Sequence, residues 1–244
     1  MKIVATIEAR MTSTRLPGKV LLPALGEPML CHLVNRLKAV SSLDEIVLAT
    51  TVNTTDDLLV EVASKVGISV YRGSEIDVME RVISAAEAAH ADVVVEITGD
   101  CPIIDPDIVE QTIQMYLHHD AAYVSNVQIR SYPDGMDTQV FSLDSLKHSA
   151  SITNAPLDRE HVSLYMRNHP EIFPHLHLIA PPSLHWPGLG LTLDEYADYL
   201  LLKQIIETLG IKNPLFSCLD TIRLLKENSD WLQINQHVVR KGNT

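Results

Sequence analysis

The sequence predicts an α/β fold with a mostly parallel central sheet that is covered by helices on both faces. Its first half alternates short apolar runs with amphipathic helical patterns, at the spacing of parallel strands joined by crossover helices. The apolar runs carry little polar alternation, which is typical of strands buried on both faces. With 244 residues, of which 46% are hydrophobic, the chain is long and apolar enough for one large domain.

The first two predicted strands enclose one predicted helix. The apolar runs at 3–7 and 45–52 each have the length and composition of a buried strand. Pro28 is a favoured first residue of a helix, and leucine and valine side chains then recur on one face as far as Val40. The chain therefore opens as strand, polar loop, helix and strand.

Two more helix–strand units follow, up to residue 97. Threonine and aspartate residues precede the first of these helices, Gly67 ends it, and Ser74 with Asp77 marks the start of the second. A short apolar run comes after each helix. These patterns predict helices at 54–66 and 74–89 and strands at 68–71 and 93–97.

The regular alternation stops between residues 126 and 187. Turn residues and the pair Pro181-Pro182 interrupt this segment, so we expect an insertion within a single domain, 1–244, that forms an acceptor lobe or a dimer contact. The elements predicted for the second half are helices at 105–118, 142–150, 157–168, 194–209 and 216–226, strands at 121–125, 176–180 and 189–193, and a turn and strand within 132–141.

Bulk composition excludes several classes of protein. The net charge of -12 argues against nucleic acid or an anionic membrane as a partner. No apolar run approaches the ~20 residues of a membrane span. The three cysteines are widely spaced without C-x-x-C, which indicates reduced thiols and no zinc site. Because the chain starts directly in a strand without a signal peptide, we expect a cytoplasmic protein.

Three cations, Arg10, Arg15 and Lys19, lie in the loop after the first strand of this acidic chain. Small and polar residues separate them, so backbone N–H groups can form a concave anion site beside the charges. The loop matches neither G-x-G-x-x-G nor G-x-x-x-x-G-K-[ST]. We interpret it as a phosphate-binding loop, and the alternative is a solvated loop with ordinary surface arginines.

Two aspartates, Asp100 and Asp194, each follow a predicted strand, in I-T-G-D-C-P and L-T-L-D-E. Open parallel sheets bind ligands beyond the carboxyl ends of their strands, so the two carboxylates can converge there. A pair of carboxylates facing a triphosphate would suit Mg2+. From local sequence alone, Asp100 is equally consistent with a turn before Pro102, and Asp194 with a capping box over 192–195.

Three other motifs are candidates for binding. The turn 72–74, with Asp77, follows the third strand and offers backbone groups that can read a base edge, although Ser74 is also a plausible helix N-cap. The motifs D-G-M-D at 134–137 and R-E-H at 159–161 lie in the inserted segment. From residue types alone, D-G-M-D is also consistent with an ordinary turn, and R-E-H with an ordinary helix start.

The string A-R-M-x-S-x-R-L-P-G-K at 9–19 resembles the spore-coat polysaccharide (SpsF-like) type of cytidylyltransferase, relatives of the CMP-sialate and CMP-Kdo synthetases. The resemblance runs from Ile3 to about Ile206, and D-E-x-x-D-x-x-L from Asp194 is its next most specific motif. One departure is H-V-S-L-Y at 161–165, where relatives usually have Thr-Pro between Val and Tyr. The resemblance implies a GT-A-like nucleotide-diphospho-sugar transferase fold.

The resemblance also implies roles for individual residues. Arg15, Lys19 and Asp100 would be catalytic, and Asp100 with Asp194 would hold Mg2+. The acceptor-binding residues that it implies are Asp134, Asp137, Arg159, Glu160 and His161. The nucleotide-binding residues that it implies are Ala9, Arg10, Met11, Thr12, Ser13, Arg15, Lys19, Arg72, Gly73, Ser74, Asp77, Thr98 and Gly99.

The expected reaction is transfer of CMP from CTP to a sugar, sugar-acid or related acceptor with release of pyrophosphate. The enzyme would be a Mg2+-dependent homodimer in polysaccharide or glycoconjugate synthesis. Alternatives are another nucleoside triphosphate, a phosphonate or polyol-phosphate acceptor, or glycosyl transfer, although 134–137 is not a D-x-D motif. A catalytically inactive nucleotide-binding protein would lack a metal carboxylate or the loop lysine, and this sequence retains them all.

Overall fold

A seven-stranded sheet forms the centre of the protein in the computed structural model, which describes residues 1–240. The last four residues of the predicted domain, 241–244, lie outside this range. The strands are β1 (Ile3–Glu8), β2 (Pro23–Ala24), β3 (Glu27–Pro28), β4 (Glu45–Thr51), β5 (Ser69–Gly73), β6 (Val93–Thr98), β7 (Tyr123–Ser125), β8 (Gln139–Ser142) and β9 (His175–His177). The helices are α1 (Met29–Leu37), α2 (Asp57–Val66), α3 (Val78–Ala88), α4 (Pro106–Leu117), α5 (Leu143–Ile152), α6 (Pro156–Glu160), α7 (Leu164–Asn168), α8 (Tyr196–Leu209) and α9 (Cys218–Glu227).

The strand order places β1 in the middle of the parallel part of the sheet. The order is β5-β4-β1-β6-β8-β7-β9, and β2 and β3 pair separately. β5, β4, β1 and β6 are parallel, whereas β8 runs antiparallel to both β6 and β7. Glu8, near the end of β1, pairs with Ala49 of β4 and Thr98 of β6. The carboxyl ends of these strands therefore lie side by side, where parallel sheets bind ligands.

Helices cover both faces of the sheet. Ile3, Ala5 and Ile7 of β1 face one apolar cluster with α1, α2 and α4. Val4 points to the opposite face and packs in a second cluster with α3 and α5, as the two-residue period of a strand requires. The mostly parallel, doubly covered sheet predicted from the sequence is confirmed.

The predicted strand at 189–193 is wrong. Only Gly190 makes a β-bridge, with Asp134, and the segment joins no strand of the central sheet. It is apolar because Leu189, Leu191 and Leu193 pack in a third cluster with α8 and α9. A short apolar run indicates burial, and here the burial comes from helices.

The single helix predicted at 157–168 is also wrong, because α6 and α7 are separate. Between them, Val162 has a φ of 39°, in the left-handed region that a β-branched residue rarely adopts. The Ser163 hydroxyl donates a hydrogen bond to Oε1 of Gln139 (2.8 Å). This contact with β8 holds the chain between α6 and α7 against the sheet. A continuous helix would not make this turn.

The segment 126–187 contributes two strands to the central sheet, since β8 lies between β6 and β7 and β9 extends the sheet beyond β7. Its three helices, α5 to α7, lie on the face that also carries α3. None of the helices within residues 1–240 is both long and apolar enough to cross a membrane. The three cysteines are buried free thiols.

Candidate active site

The N-terminal loop, residues 9–19, is held at the end of β1 by a buried carboxylate. Asp56 accepts a hydrogen bond from the Met11 N–H (2.8 Å) and others from the hydroxyls of Thr50 and Thr51. At the far end of the loop, the Gly18 N–H donates to the Met11 carbonyl (2.9 Å). Gly18 has a φ of 71°, which favours glycine. The loop therefore folds back on itself and presents its cations on one side.

Lys19 joins the two aspartates that the sequence singles out. Its Nζ lies 2.9 Å from Oδ2 of Asp100 and 3.1 Å from Oδ1 of Asp194. Arg15 reaches the same Asp194 oxygen at 2.8 Å. Residues more than 170 positions apart in the chain thus meet at the carboxyl ends of β1 and β6, as expected for convergence of the two carboxylates.

Backbone hydrogen bonds bring Asp194 to this position without a strand. The Leu193 N–H donates to the Asp100 carbonyl (2.8 Å), and the Leu191 N–H donates to the Asp134 carbonyl (2.7 Å). The alternative interpretation of 192–195 as a capping box does not apply, because Glu195 and Asp198 form the box at the start of α8. The Asp194 side chain is therefore left to face Lys19.

A close contact between β1 and β6 fixes the distance between the loop and Asp100. A Cβ on Gly99 would lie 2.8 Å from the Glu8 carbonyl oxygen and 2.9 Å from Cβ of Ala9. Both distances are shorter than real Cβ contacts. Glycine at position 99 therefore allows the chain after β6 to pass directly against the first residues of the loop.

The charges of this group stabilise one another. Burial alone would raise the pKa of Asp100, but the Lys19 ammonium outweighs it and lowers that pKa below its usual value. Burial likewise disfavours the Lys19 cation, but Asp100 and Asp194 together raise the pKa of Lys19. Lys19 and Asp100 therefore both remain charged at neutral pH, within a largely buried cluster.

These residues form one wall of a cleft of about 410 Å³, a volume in the range of small-molecule sites. Asp134 and Asp137 also line this cleft, and Arg130 contacts Asp137 at 2.7 Å. Burial and Asp137 raise the pKa of Asp134 to about 6, despite Arg130 and Arg240. The predicted site residues that line the cleft are Ala9, Arg10, Ser13, Arg15, Lys19, Thr98, Gly99, Asp100, Asp134, Asp137, Glu160, His161 and Asp194.

The remaining predicted residues lie near the cleft but do not line it. Arg72 donates to the Thr51 and Asn53 carbonyls and pairs with Asp57. The Thr12 hydroxyl donates to Glu75 (2.6 Å). Those outside the lining are Met11, Thr12, Arg72, Gly73, Ser74, Asp77 and Arg159.

Asp77 and Arg159 link two motifs that the sequence separates by about 80 residues. Arg159 Nη2 lies 2.6 Å from Oδ2 of Asp77, and Arg159 Nε donates to both carboxylate oxygens. Asp77, and not Ser74, caps α3 by accepting from the Glu80 N–H (2.9 Å). The proposed base-binding turn is therefore fixed to the proposed acceptor side.

Several charged residues of the cleft were missed by the sequence reasoning. Arg240 contacts Asp198 at 2.7 Å and lies 3.4 Å from Asp134, in a region with no recognisable motif. Glu96 stands alone among the apolar residues of β6, and this break in the pattern was a usable signal. The cleft residues not anticipated include Glu8, Arg81, Glu96, Arg130, Arg167 and Arg240.

The next question is whether the carboxylates of the cleft could hold the Mg2+ that the sequence predicts. Within residues 1–240 no cluster of three or more His, Cys, Asp or Glu side chains has metal-binding geometry. Mg2+ at phosphoryl-transfer sites is commonly held by one or two carboxylates together with substrate phosphates and water. Asp100 and Asp194, which share one ammonium, therefore fit an ion that arrives with the nucleotide.

The chain is similar to known cytidylyltransferases along most of its length. The sequence model of the cytidylyltransferase family matches residues 4–231. The chain is 36% identical over 234 residues to the spore coat polysaccharide biosynthesis protein SpsF of Bacillus subtilis, covering 93% of this chain and 95% of SpsF. It is 29% identical over 174 residues to a 3-deoxy-manno-octulosonate cytidylyltransferase of Geobacter metallireducens, covering 70% of this chain and 62% of that protein.

A solved structure shows the same fold. The structure of a cytidylyltransferase from Leptospira borgpetersenii matches with a TM-score of 0.92 at 34% identity, covering 98% of this chain and 100% of that one. The fold is therefore the GT-A-like nucleotidyltransferase fold, with its cleft at the carboxyl ends of β1 and β6. Family match, fold and site geometry agree, and this chain belongs to the cytidylyltransferase family.

Proposed function

We propose that this cytidylyltransferase transfers CMP from CTP to a sugar or sugar-acid acceptor and releases pyrophosphate. The observation that carries the proposal is the contact of Lys19 with Asp100 and Asp194 beside the N-terminal loop. The relatives support the class of acceptor, since one is named for polysaccharide synthesis and another for 3-deoxy-manno-octulosonate.

In this proposal the N-terminal loop binds the triphosphate. Arg10, Arg15 and Lys19 supply positive charge, and the backbone N–H groups of 11–13 contribute further donors. An acceptor oxygen attacks the α-phosphorus in line, the bond from that phosphorus to the bridging oxygen breaks, and pyrophosphate leaves. Lys19 and Arg15 stabilise the negative charge that develops on the transferred and leaving groups.

Mg2+ is the proposed metal, and it would supply charge neutralisation on the phosphates. Asp100 and Asp194 would hold it, because both face the loop that carries the phosphate-binding cations. Lys19 contacts both carboxylates. The ammonium and a bound Mg2+ would therefore share them.

The acceptor is proposed to bind at the wall formed by Asp134, Asp137, Glu160 and His161. Arg159 does not line this wall, but its ion pair with Asp77 positions α6 against the start of α3. The base is proposed to lie beside the turn 72–74. We also propose that the enzyme is a homodimer in the cytoplasm, and the three free thiols are consistent with a reducing compartment.

The test is pyrophosphate release with Mg2+, each nucleoside triphosphate in turn, and a panel of sugar acids, sugar phosphates and phosphonates. We expect release with CTP and one class of acceptor, and no release when Mg2+ is chelated. Release with another nucleotide but not with CTP would contradict the proposal. Size-exclusion chromatography with light scattering tests the dimer separately.

A further inference from the structure

Two glutamates of the central sheet, Glu8 and Glu96, line the cleft, and we call this pair the floor of the cleft. In the parallel register of β1 and β6, Thr6 lies opposite Glu96, and Glu8 lies opposite Thr98. Side chains two residues apart on a strand share a face, so Glu8 and Glu96 point to the same side of the sheet. Both line the cleft.

These glutamates differ from the four aspartates of the same cleft. Asp100 and Asp194 contact Lys19, and Asp134 and Asp137 contact Arg130, all within 4 Å. Within residues 1–240 no ion pair of this kind reaches the two glutamates of the floor. Arg81 and Arg167 act on these glutamates only from beyond ion-pair distance. No cation of the described residues therefore makes a contact ion pair with Glu8 or Glu96.

Glu96 also has an unused hydrogen-bonding atom. Glu96 is only 5% exposed, and its Oε2 atom has no hydrogen-bond partner in the described part of the chain. The Tyr123 and Ser163 hydroxyls beside Glu96 donate to Oε1 of Gln139. A buried carboxylate oxygen without a partner is costly, so this atom points to a donor that a ligand supplies.

Electrostatics identify what kind of donor fits. Burial raises the pKa of Glu96 to about 7, and burial together with Glu96 raises the pKa of Glu8 well above its usual value. Like-charge repulsion therefore opposes full ionisation of the pair. A ligand hydroxyl would donate a hydrogen bond but would leave this repulsion in place. A ligand ammonium would satisfy the free oxygen and offset the negative charge together.

We propose that Glu8 and Glu96 form a subsite for a primary ammonium group, so that the acceptor of this enzyme is an amino sugar or another amine-bearing acceptor. The inference rests on the proposed function, because it takes the cleft to bind the acceptor. It assigns a binding role to two strand residues that lie outside the recognised motifs. The other charges near the floor are Arg81, which faces Glu8, and Arg167, which faces Glu96.

The test compares acceptors that differ by one amino-for-hydroxyl replacement. Suitable pairs are glucosamine 1-phosphate with glucose 1-phosphate, 2-aminoethylphosphonate with 2-hydroxyethylphosphonate, and a 5-amino with a 5-hydroxy nonulosonic acid. For at least one pair we expect kcat/KM with CTP to be about tenfold or more higher for the amine, as for a charge-assisted hydrogen bond. The Glu96→Gln variant should bring the ratio in that pair toward one.

The Glu87→Gln variant is the matched control, because Glu87 lies at the exposed end of α3 and pairs with Lys147. It should keep the preference of the wild-type enzyme. If CTP is used with some acceptor but no pair shows a preference for the amine, the ammonium subsite is excluded while the proposed reaction stands. A preference that survives in Glu96→Gln would also overturn the subsite.

Absence of pyrophosphate release with every acceptor would count against the proposed reaction alone. The ammonium preference is then measured as the Kd of each pair by calorimetry, with Mg2+ and CTP present. Tighter binding of the amine, lost in Glu96→Gln, would support the subsite. Equal Kd values within all pairs would overturn it.

Discussion

Lys19 is the residue on which the charge balance of the cleft depends. Replacing it with methionine keeps most of its apolar stem but removes the ammonium that Asp100 and Asp194 share. We expect kcat of Lys19→Met to fall by about 10²- to 10³-fold, the cost of losing one preorganised charge at a transition state. The measurement is pyrophosphate release at saturating CTP, with circular dichroism to verify the fold.

Lys65→Met is the control for this substitution. Lys65 pairs with Glu27 at 3.1 Å, but its side chain is 64% exposed, and exposed pairs contribute little. This variant should retain the wild-type kcat. Full activity in Lys19→Met would remove the N-terminal loop from the proposed mechanism.

At this scale the sequence predicted the residues that carry a motif and missed those that do not. Asp100 and Asp194 converge as expected, and Arg15 and Lys19 of the predicted loop contact them. Arg240 carries no local pattern, and its contact with Asp198 depends on how the end of the chain returns to α8. Such contacts follow from tertiary packing, which spacing along the sequence does not encode.

Among the elements, the N-terminal loop depends on Asp56 at the start of α2. This fully buried carboxylate accepts from the Met11 N–H and from the Thr50 and Thr51 hydroxyls. Asn in its place presents an amide that cannot accept all of these bonds. We expect Asp56→Asn to lower the free energy of unfolding by about 3 kcal/mol at pH 7, because buried donors lose their partner.

The effect of Asp56→Asn should depend on pH in a defined direction. Burial opposes ionisation, but hydrogen bonds from Thr51 and Met11 outweigh it and lower the pKa of Asp56. A lowered pKa stabilises the fold above the unfolded value of about 4, and this contribution disappears as the pH falls through the folded value. Urea unfolding at pH 7, 5 and 3 should therefore show the difference from wild type shrinking only below about pH 4.

Asp57→Asn is the neighbouring control, because Asp57 is 56% exposed and pairs with Arg72 at the surface. It should change the free energy of unfolding by less than about 1 kcal/mol. A constant difference for Asp56→Asn across all three pH values would show that its charge has no part in holding the loop.

Gly99 determines how closely β6 approaches β1 at the site. Its Cβ would lie 2.8 Å from the Glu8 carbonyl, so Gly99→Ala has to displace the end of one strand. We expect a loss of about 1–3 kcal/mol in stability. We also expect kcat/KM for CTP to fall by about tenfold or more, because small displacements of reacting groups raise the activation barrier. Gly188→Ala, with no atom within 4 Å of the added Cβ, should leave both quantities unchanged.

Helices and strands with a clear hydrophobic period were predicted well. Segments whose apolar pattern fits more than one element were not. The parallel strands β1, β4 and β6 and the helices between them follow from apolar runs and helix-start residues. The run 189–193 has the same composition as a strand, but it is buried against α8 and α9. Periodicity records burial, and it does not record which element provides it.

The whole molecule brings distant parts of its chain together at the cleft. Lys19 lies in the first tenth of the sequence, Asp100 follows β6, and Asp194 precedes α8. A ligand that contacts all three can bind only the folded chain. Ligand binding should therefore stabilise the fold as a whole, by an amount set by ligand concentration and affinity.

We expect CTP with Mg2+ at about a hundred times its Kd to add ~2.7 kcal/mol to the free energy of unfolding. For a chain of this length, that corresponds to a rise in Tm of roughly 5–10 °C by differential scanning calorimetry. ATP, GTP and UTP at the same concentration should give smaller shifts if the cleft selects cytosine. Lys19→Met should lose most of the CTP shift if, as proposed, the shared ammonium binds the phosphates. An equal shift in wild type and Lys19→Met would place the triphosphate elsewhere on the molecule, whatever the rate of the reaction.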